Sequence, residues 1–469
     1  MTLIGFTIAM LIFFGIGMAS VMKSTSRVDD YLIAGRSISP FSAGLSAAAS
    51  NNSGFMFIGA IGYTYVYGYA AVWLFFAWIA GDYLSWMLVH HRLRALSETR
   101  DTHSVAGFLA HDGEGYDRRL QILLGGLTIV FLSLYAAAQL KAGGKALEAT
   151  LQWEPSSGII IGTLLVVAYS FAGGIRASIW TDIAQSIVMI VAMLLLAIVC
   201  HLQVVPLGQL SAALGAIDPK LIELAPADAS LGVLPYALGW FIAGFGGVGQ
   251  PHIIIRAMTV QSAEDVPTMR RTYFTWYVLF SVFTMLVGLY ARVHFDGLPD
   301  LGFDKETALP LLASAYLAPL LVGFILAALF AATMSTADSQ VLASSASITQ
   351  DIAIKYKDNF RASKVATVSV VLLSMVIAFV GPDSVFELVT IAWGLMATCF
   401  APLMVARVLG WTLSSNRYLI AAGLGMLAML GWSYGLGLGD AMYDGAIGFM
   451  VSMTLTVVLS GRPQRGSSD

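Results

Sequence analysis

Thirteen stretches, each close to the length needed to cross a lipid bilayer, take up most of this chain. A spanning helix needs about 20 predominantly apolar residues. Such runs cover 2–22, 41–66, 70–90, 121–147, 157–173, 178–204, 232–256, 273–294, 309–348, 364–381, 385–409, 418–438 and 445–461. A soluble protein carries about 25% charged residues; here the figure is 11%, against 58% from the AVILMFWYC set. No water-facing surface can be built from so few charges, and a disordered chain is excluded by the same composition. With a net charge of −3 and no basic block, nucleic acid is not an expected partner. Cys200 and Cys399 both fall inside apolar runs, so no disulfide framework is expected. The chain reads as an all-α integral membrane protein.

Basic residues in the loops set a direction. With the N-terminus outside, the inner segments hold Lys23, Arg27, Arg36, Arg92, Arg94, Arg100, Arg118, Arg119, Arg176, Arg256, Arg270, Arg271, Lys355, Lys357, Arg361, Lys364, Arg407, Arg417, Arg462 and Arg465. The outer segments hold Lys141, Lys145, Lys220, Arg292 and Lys305, a division of 20 against 5 that accounts for all 25 basic residues. Lys and Arg concentrate on the cytoplasmic side of membrane proteins, so the expected topology is N-terminus outside and C-terminus inside. The first run is expected to be an uncleaved span rather than a signal peptide, because nothing basic precedes Leu3. The ninth run is too long for one span and is expected to turn into a short cytoplasmic helix after Ser347. The loop 205–231 reads as an outer cap, and residues 102–109 as a short interfacial helix.

Two spans are poor continuous helices. The second contains Ser50-Asn51-Asn52-Ser53-Gly54, and the seventh contains Gly244, Gly246, Gly247 and Gly249 ahead of Gln250-Pro251. Each glycine costs a helix about 1 kcal/mol relative to alanine and the proline about 3. Irregular backbone within a membrane persists only where protein or a water-filled cavity satisfies its polar groups. Interrupted helices at matching places in two halves point to the binding site of a secondary transporter. Small-residue helix packing for the second span, and a simple proline kink for the seventh, are the structural alternatives.

The ninth span adds Thr333-Met334-Ser335-Thr336-Ala337-Asp338-Ser339-Gln340. At 100° per residue, Ala332, Ser335, Thr336 and Ser339 share a face, with Asp338 at its edge. Hydroxyls and freed carbonyls are hard oxygen ligands suited to Na+, and no His/Cys cluster offers what zinc or copper prefers. The alternative is that these hydroxyls bond back to their own helix. Four carboxylates fall in or at the edge of spans: Asp82, Asp182, Asp338 and Glu387. An intramembrane carboxylate is a functional candidate; Asp338 alone sits among other ligands, Asp182 is expected to be partly wet, Asp82 has no evident partner, and Glu387 is expected to face the outer solution. Tyr63, Tyr65 and Tyr67 read either as an interfacial aromatic belt, the commoner case, or as a gate. The histidines form no metal or nucleophile arrangement.

At these stretches the chain resembles the sodium/solute symporter family, and within it the sodium/proline symporter branch. The shared text includes Asp30-Tyr31 with Ala34-Gly35-Arg36-Ser37, then Ser42-Ala43-Gly44-Leu45-Ser46 and Ser53-Gly54. It continues with Gly173-Gly174, Trp180-Thr181-Asp182, Gly249-Gln250-Pro251-His252-Ile253 with Arg256, Met334-Ser335-Thr336 and Asp338-Ser339-Gln340. The resemblance implies a single transporter domain, 1–469, with a LeuT-like 5+5 inverted-repeat core: repeats at 41–204 and 232–409, and peripheral helices at 2–22 and 418–461. It implies a Na+ site at Ala49, Asn52, Ala332, Ser335 and Thr336, and a second Na+ site at Asp182, Ser335, Asp338 and Ser339. The chain differs from proline carriers at Asn51, where they typically have an aspartate, and at Ala243 and Gly247, where they have bulky aromatics.

The expected function is sodium-coupled import of a small solute, an amino acid such as proline or a small carboxylate, by alternating access across the plasma membrane. Half-helix ends offer N–H groups to a carboxylate and carbonyls to an ammonium or Na+. Expected solute contacts are Asn51, Ser53, Gly54, Ala243, Phe245, Gly247, Gln250 and Pro251. The partners are the solute, sodium ions and the lipid bilayer, with no protein partner required. A proton-coupled carrier using Asp338 or Asp182 and a transporter-like solute sensor are the alternatives; an enzyme is not expected.

Overall fold

Local chemistry starts about half of the α-helices. The computed structural model describes residues 1–21, 28–111, 115–226, 229–296 and 303–461, so Lys23, Arg27, Arg462 and Arg465 lie outside the described residues. Ser39 accepts a hydrogen bond from the Ser42 N–H and Pro40 takes the first helical position, opening the second span at Pro40–Asn51. Asp117 caps Arg118–Leu151, Asn359 caps Phe360–Val380, and Ser384 caps Val385–Val408. Pro319 opens the ninth span, Pro319–Ala346, which is buried almost throughout and forms the centre of the molecule.

Helices occupy all thirteen ranges read as spans. Among the described residues, eight are individually long and apolar enough to cross a membrane. Two bent pairs join them: 54–71 with 73–99, bent by 95°, and 233–249 with 251–258, bent by 58°. Pro155–Ala168 and Asp444–Leu459 are apolar but shorter. The first span exposes Leu3, Ile4, Ile8, Leu11, Ile12 and Phe14 on one side while burying Phe6, Met10 and Phe13, as a helix at the lipid boundary does.

Between the fifth and sixth spans the helical path kinks at Gly174, whose φ of 60° and ψ of −152° lie in a region open only to glycine. A Cβ there would stand 2.5 Å from the Tyr31 ring and carbonyl. The third and seventh spans touch backbone to backbone, since a Cβ on Gly81 would meet the Phe241 carbonyl oxygen at 1.8 Å and one on Gly244 the Trp78 carbonyl oxygen at 1.9 Å. Small residues permit this approach where no hydrophobic force drives helices together.

Segments expected to share a side of the membrane meet at the same end of the molecule. At one end Arg36 donates to the Met258 and Ser97 carbonyls, Arg94 to Val260, Arg118 to Ile352 and Arg407 to Leu109. At the other, Tyr65 donates to the Phe295 carbonyl, Trp73 to Leu224, and Lys145 to Asp304 and Glu306. Residues 205–226 reach this second end through Leu224.

Several expectations change. The third span runs on to Thr99 rather than ending near residue 90, with π-helical turns at Trp73–Ala77 and Trp86–His90. The long ninth run divides at its beginning, where Ala308–Tyr316 forms a separate helix before Pro319; beyond Ala346 it widens into a π-helical turn, Ser347–Ile352. The helix Val105–Leu109 is buried in protein instead of lying at an interface. Tyr63 and Tyr65 are likewise buried, Tyr63 stacking on Phe386 at 5.2 Å, so these two form no lipid-facing belt. Cys200 and Cys399 are buried free thiols.

Candidate functional site between the broken spans

The second span stops at Asn51. Asn52 (φ −92°, ψ 74°) and Ser53 (φ −74°, ψ −172°) leave the helical region, and the Ser53 hydroxyl caps the restart at Gly54 by accepting from the Phe55 N–H. Gly54 N–H donates to the Gln139 side-chain carbonyl at 2.9 Å. The break frees carbonyls at the end of the first half-helix, and these face the ninth span. The Ser335 hydroxyl lies 3.1 Å from the Ala49 carbonyl and 3.1 Å from the Ala332 carbonyl. Thr336 donates to the Ser50 carbonyl at 3.1 Å. Of the five residues carried over for a sodium site, Ala49, Ala332 and Ser335 therefore converge, Thr336 sits one residue along on Ser50, and the Asn52 amide turns back to donate to Ala48 at 2.9 Å. The Asn52 side-chain carbonyl is buried with no hydrogen-bond partner. The donor set is oxygen alone, the chemistry of a small hard cation.

One helical turn away lies a buried polar cluster. Ser339 is 3.0 Å from the Ser50 hydroxyl and donates to the Ser335 carbonyl at 2.7 Å. Asp182 is fully buried rather than partly wet. Its carboxylate accepts from Ser46 at 2.6 Å and from the Arg256 guanidinium at 3.4 Å. Arg256, also buried, donates to Ser339, Ser46, Ser178 and the His252 carbonyl. Asp338, one residue before Ser339 on the ninth span, is buried as well. Of the four residues read as a second sodium site, Asp182 and Ser339 thus contact the Arg256 guanidinium.

On the other side of the break is a small cavity of about 20 Å³ lined by Asn51, Phe55, Trp78, Tyr135, Tyr277 and Trp393 among others. It has room for a water or two. The Phe55–Phe386 and Trp78–Trp240 pairs, with ring centroids 5.3 and 6.0 Å apart, separate it from a half-open vestibule bordered by Tyr63, Glu387, Asp440 and Asp444. Glu387 is exposed there, as expected. Asp82 has partners after all: Tyr273 donates to it at 2.6 Å and Ser85 at 3.2 Å.

Of the expected solute contacts, Asn51 lines the cavity. Ser53 stands 3.4 Å from the Tyr135 hydroxyl. The Ala243 carbonyl accepts from the Trp393 indole at 2.8 Å, and Gln250 donates to the Trp393 carbonyl at 3.2 Å. A Cβ on Gly247 would face Asp82 at 3.0 Å and Trp393 at 4.0 Å. Pro251 opens the second half-helix. Gly54 faces the fourth and ninth spans, and Phe245 packs on Phe449 of the last helix, away from the cavity. Sequence reasoning missed Trp78, Tyr135, Tyr277 and Trp393, and gave Arg256 no role beyond an inner basic residue and a part of the shared text. The available signal was position: Trp and Tyr favour membrane interfaces, so mid-span examples need a polar partner inside, and an arginine at the end of an apolar run needs a counter-charge.

Residues 31–413 match the family model described as the sodium:solute symporter family. The high-affinity proline transporter PutP of Bacillus subtilis is 28% identical over 95% of this chain and 96% of its own length. The osmoregulated proline transporter OpuE of the same organism is 28% identical over 95% and 92%. A sodium/proline symporter of Staphylococcus aureus is 29% identical over 98% and 92%. Among solved structures, a Na+-coupled sialic acid symporter in its substrate-bound outward-open state aligns with a TM-score of 0.81 at 18% identity, covering 97% of both chains. The nucleobase-cation-symport transporter Mhp1 aligns with a TM-score of 0.55 at 14% identity. These two likenesses show the LeuT-like fold. The relatives are transporters rather than enzymes, and this chain belongs to the sodium:solute symporter family as a multi-pass plasma-membrane protein that moves a solute with sodium.

Proposed function

We propose that this chain imports proline or a closely similar small amino acid, driven by sodium that binds between the second and ninth spans. The contact of Ser335 with Ala49 and Ala332 carries this reading, because it gathers oxygen ligands at a helix break. Sodium there ties the ninth span to the first half of the second, and the cavity beyond the break takes the solute. That cavity is lined by aromatic rings, aliphatic side chains and the Asn51 amide. Such a lining suits a small zwitterion with an apolar body better than a sugar or a multiply charged solute.

The proposal includes thirteen crossings with the N-terminus outside, and inverted repeats at 41–204 and 232–409. The cavity holds less volume than an amino acid needs, so in this reading alternating access requires the aromatic pairs or the Arg256 cluster to separate in turn. The test is a thermal-stability screen of purified protein against proline, other small amino acids and small carboxylic acids, with and without sodium. Stabilisation by proline that requires sodium is the expected result. Stabilisation by a small carboxylic acid but not by proline would sink the amino-acid reading.

A further inference from the structure

The vestibule beyond the aromatic pairs is lined for positive charge. It holds about 240 Å³, and its wall carries Tyr63 on the second span, Tyr236 and Trp240 on the seventh, and Tyr443 at the cap of the last helix. Ring contacts hold this wall together: Tyr63 lies edge-on to Trp240 at 5.8 Å, and Trp240 stacks on Tyr443 at 5.3 Å with 12° between the planes. Tyr443 is fixed in turn by donating to the Thr390 carbonyl at 2.7 Å. The faces of such rings carry partial negative charge and attract cations. Glu387, Asp440 and Asp444 border the same hollow, and no Lys, Arg or His does. Tyr236 adds an independent sign. It is only 5% exposed, yet its hydroxyl has no hydrogen-bond partner among the described residues. A buried phenol normally finds one, and its oxygen can accept from an N–H that enters the hollow.

We propose that the vestibule is a binding site for a protonated amine, separate from the small cavity and from the sodium site proposed between Ala49 and Ser335. Aromatic faces, three carboxylates and an unmatched acceptor select one chemistry, an organic cation that carries N–H groups. The rings seat its apolar body, the carboxylates answer its charge, and the Tyr236 oxygen takes an N–H. An anion meets three like charges there, and a neutral sugar leaves them unanswered. The ammonium group can belong to a free amine or to an amino acid on its way to the cavity. The site goes beyond the transport reading above, because nothing in its lining requires sodium.

The experiment is calorimetry on the purified full chain in potassium chloride, comparing pyrrolidinium with tetrahydrofuran, a neutral ring of similar size. Pyrrolidinium is expected to bind, less tightly as the salt is raised, and tetrahydrofuran not to bind. Glu387→Gln combined with Asp440→Asn, both exposed positions, should weaken pyrrolidinium by about fivefold or more. Tyr236→Leu should weaken it by about two- to fivefold. Equal binding of the two rings, or a pyrrolidinium affinity unchanged in the double carboxylate variant, overturns the proposal. Should Tyr236→Leu fail to fold, the carboxylate variant still decides. Displacement of pyrrolidinium by proline assigns the site to the ammonium end of an amino acid, and failure to displace it assigns the site to a free amine. Sodium-dependent uptake is measured separately, so its absence would strike the transport reading and leave the vestibule result standing.

Discussion

The Ser335 hydroxyl lies 3.1 Å from the Ala49 carbonyl oxygen although 286 residues separate them in sequence. It is the point at which the central helix touches the broken one, and Thr336 repeats the contact on Ser50. Hydrogen-bonding groups that serve a charge are worth about 1.5–3 kcal/mol, or about tenfold and upward in affinity. Ser335→Ala is therefore expected to raise the sodium concentration for half-maximal uptake by about tenfold or more, and addition of Thr336→Ala to abolish sodium dependence. Uptake measured against sodium concentration checks this; an unchanged sodium requirement in the double variant removes the site.

Gly174 supplies a second expectation. Its backbone conformation costs a non-glycine residue about 1–3 kcal/mol, and Tyr31 leaves no space for a Cβ. Tyr31 in turn hydrogen-bonds Thr367 at 3.3 Å. Gly174→Ala should lower the melting temperature of detergent-solubilised protein by several degrees, while Gly126→Ala, with nothing near its Cβ position, should leave it unchanged or slightly raised. Equal effects of the two would contradict the assignment.

The apolar helices and both helix breaks were legible because these depend on local composition: an apolar run must be satisfied by lipid or protein, and Asn52-Ser53 or Gly249-Gln250-Pro251 cannot sustain a helix. Ser335 and Thr336 were legible for the same reason, since their helical phase is local. The partner of Arg256 was not, because its acceptors come from four spans whose arrangement is tertiary. Trp393 and Tyr135 were lost among ten tryptophans and eighteen tyrosines, nothing local marking which rings turn inward. Phe245 shows the converse error: it neighbours the seventh-span break, yet the helix turns it toward Phe449.

Asp117 joins the start of the fourth span to the start of the twelfth. It caps the Arg119 and Leu120 N–H groups at 2.9 and 3.1 Å and accepts from Ser415. The Ser415 hydroxyl first, and then the backbone N–H groups of Leu120 and Arg119, hold its carboxyl below the ordinary range against a partial burial that works the other way. A depressed carboxylate stabilises the fold above its unfolded value, about 4, and that contribution is lost as pH falls through the lower folded value. Asp117→Ala should cost about 1 kcal/mol at neutral pH. Melting temperatures of the two proteins should converge as the pH is taken below about 4; a difference that widens on acidification would contradict the linkage.

Trp393 offers the sharpest separation of solute binding from sodium binding. Its indole N–H holds the Ala243 carbonyl at 2.8 Å, its carbonyl holds Gln250 at 3.2 Å, and its ring lies against Trp78 with centroids 4.9 Å apart. One residue thus fixes the broken seventh span on both sides of its glycines and closes the cavity. Trp393→Phe keeps an aromatic ring and removes the N–H. A net hydrogen bond of about 0.5–1.5 kcal/mol corresponds to a loss of roughly two- to thirteenfold in solute affinity. Sodium binding measured without solute should be nearly unchanged, because Ser335 and Ala49 do not touch this ring. Isothermal calorimetry of both ligands checks the split: weakened sodium affinity with intact solute affinity would place Trp393 in the wrong site.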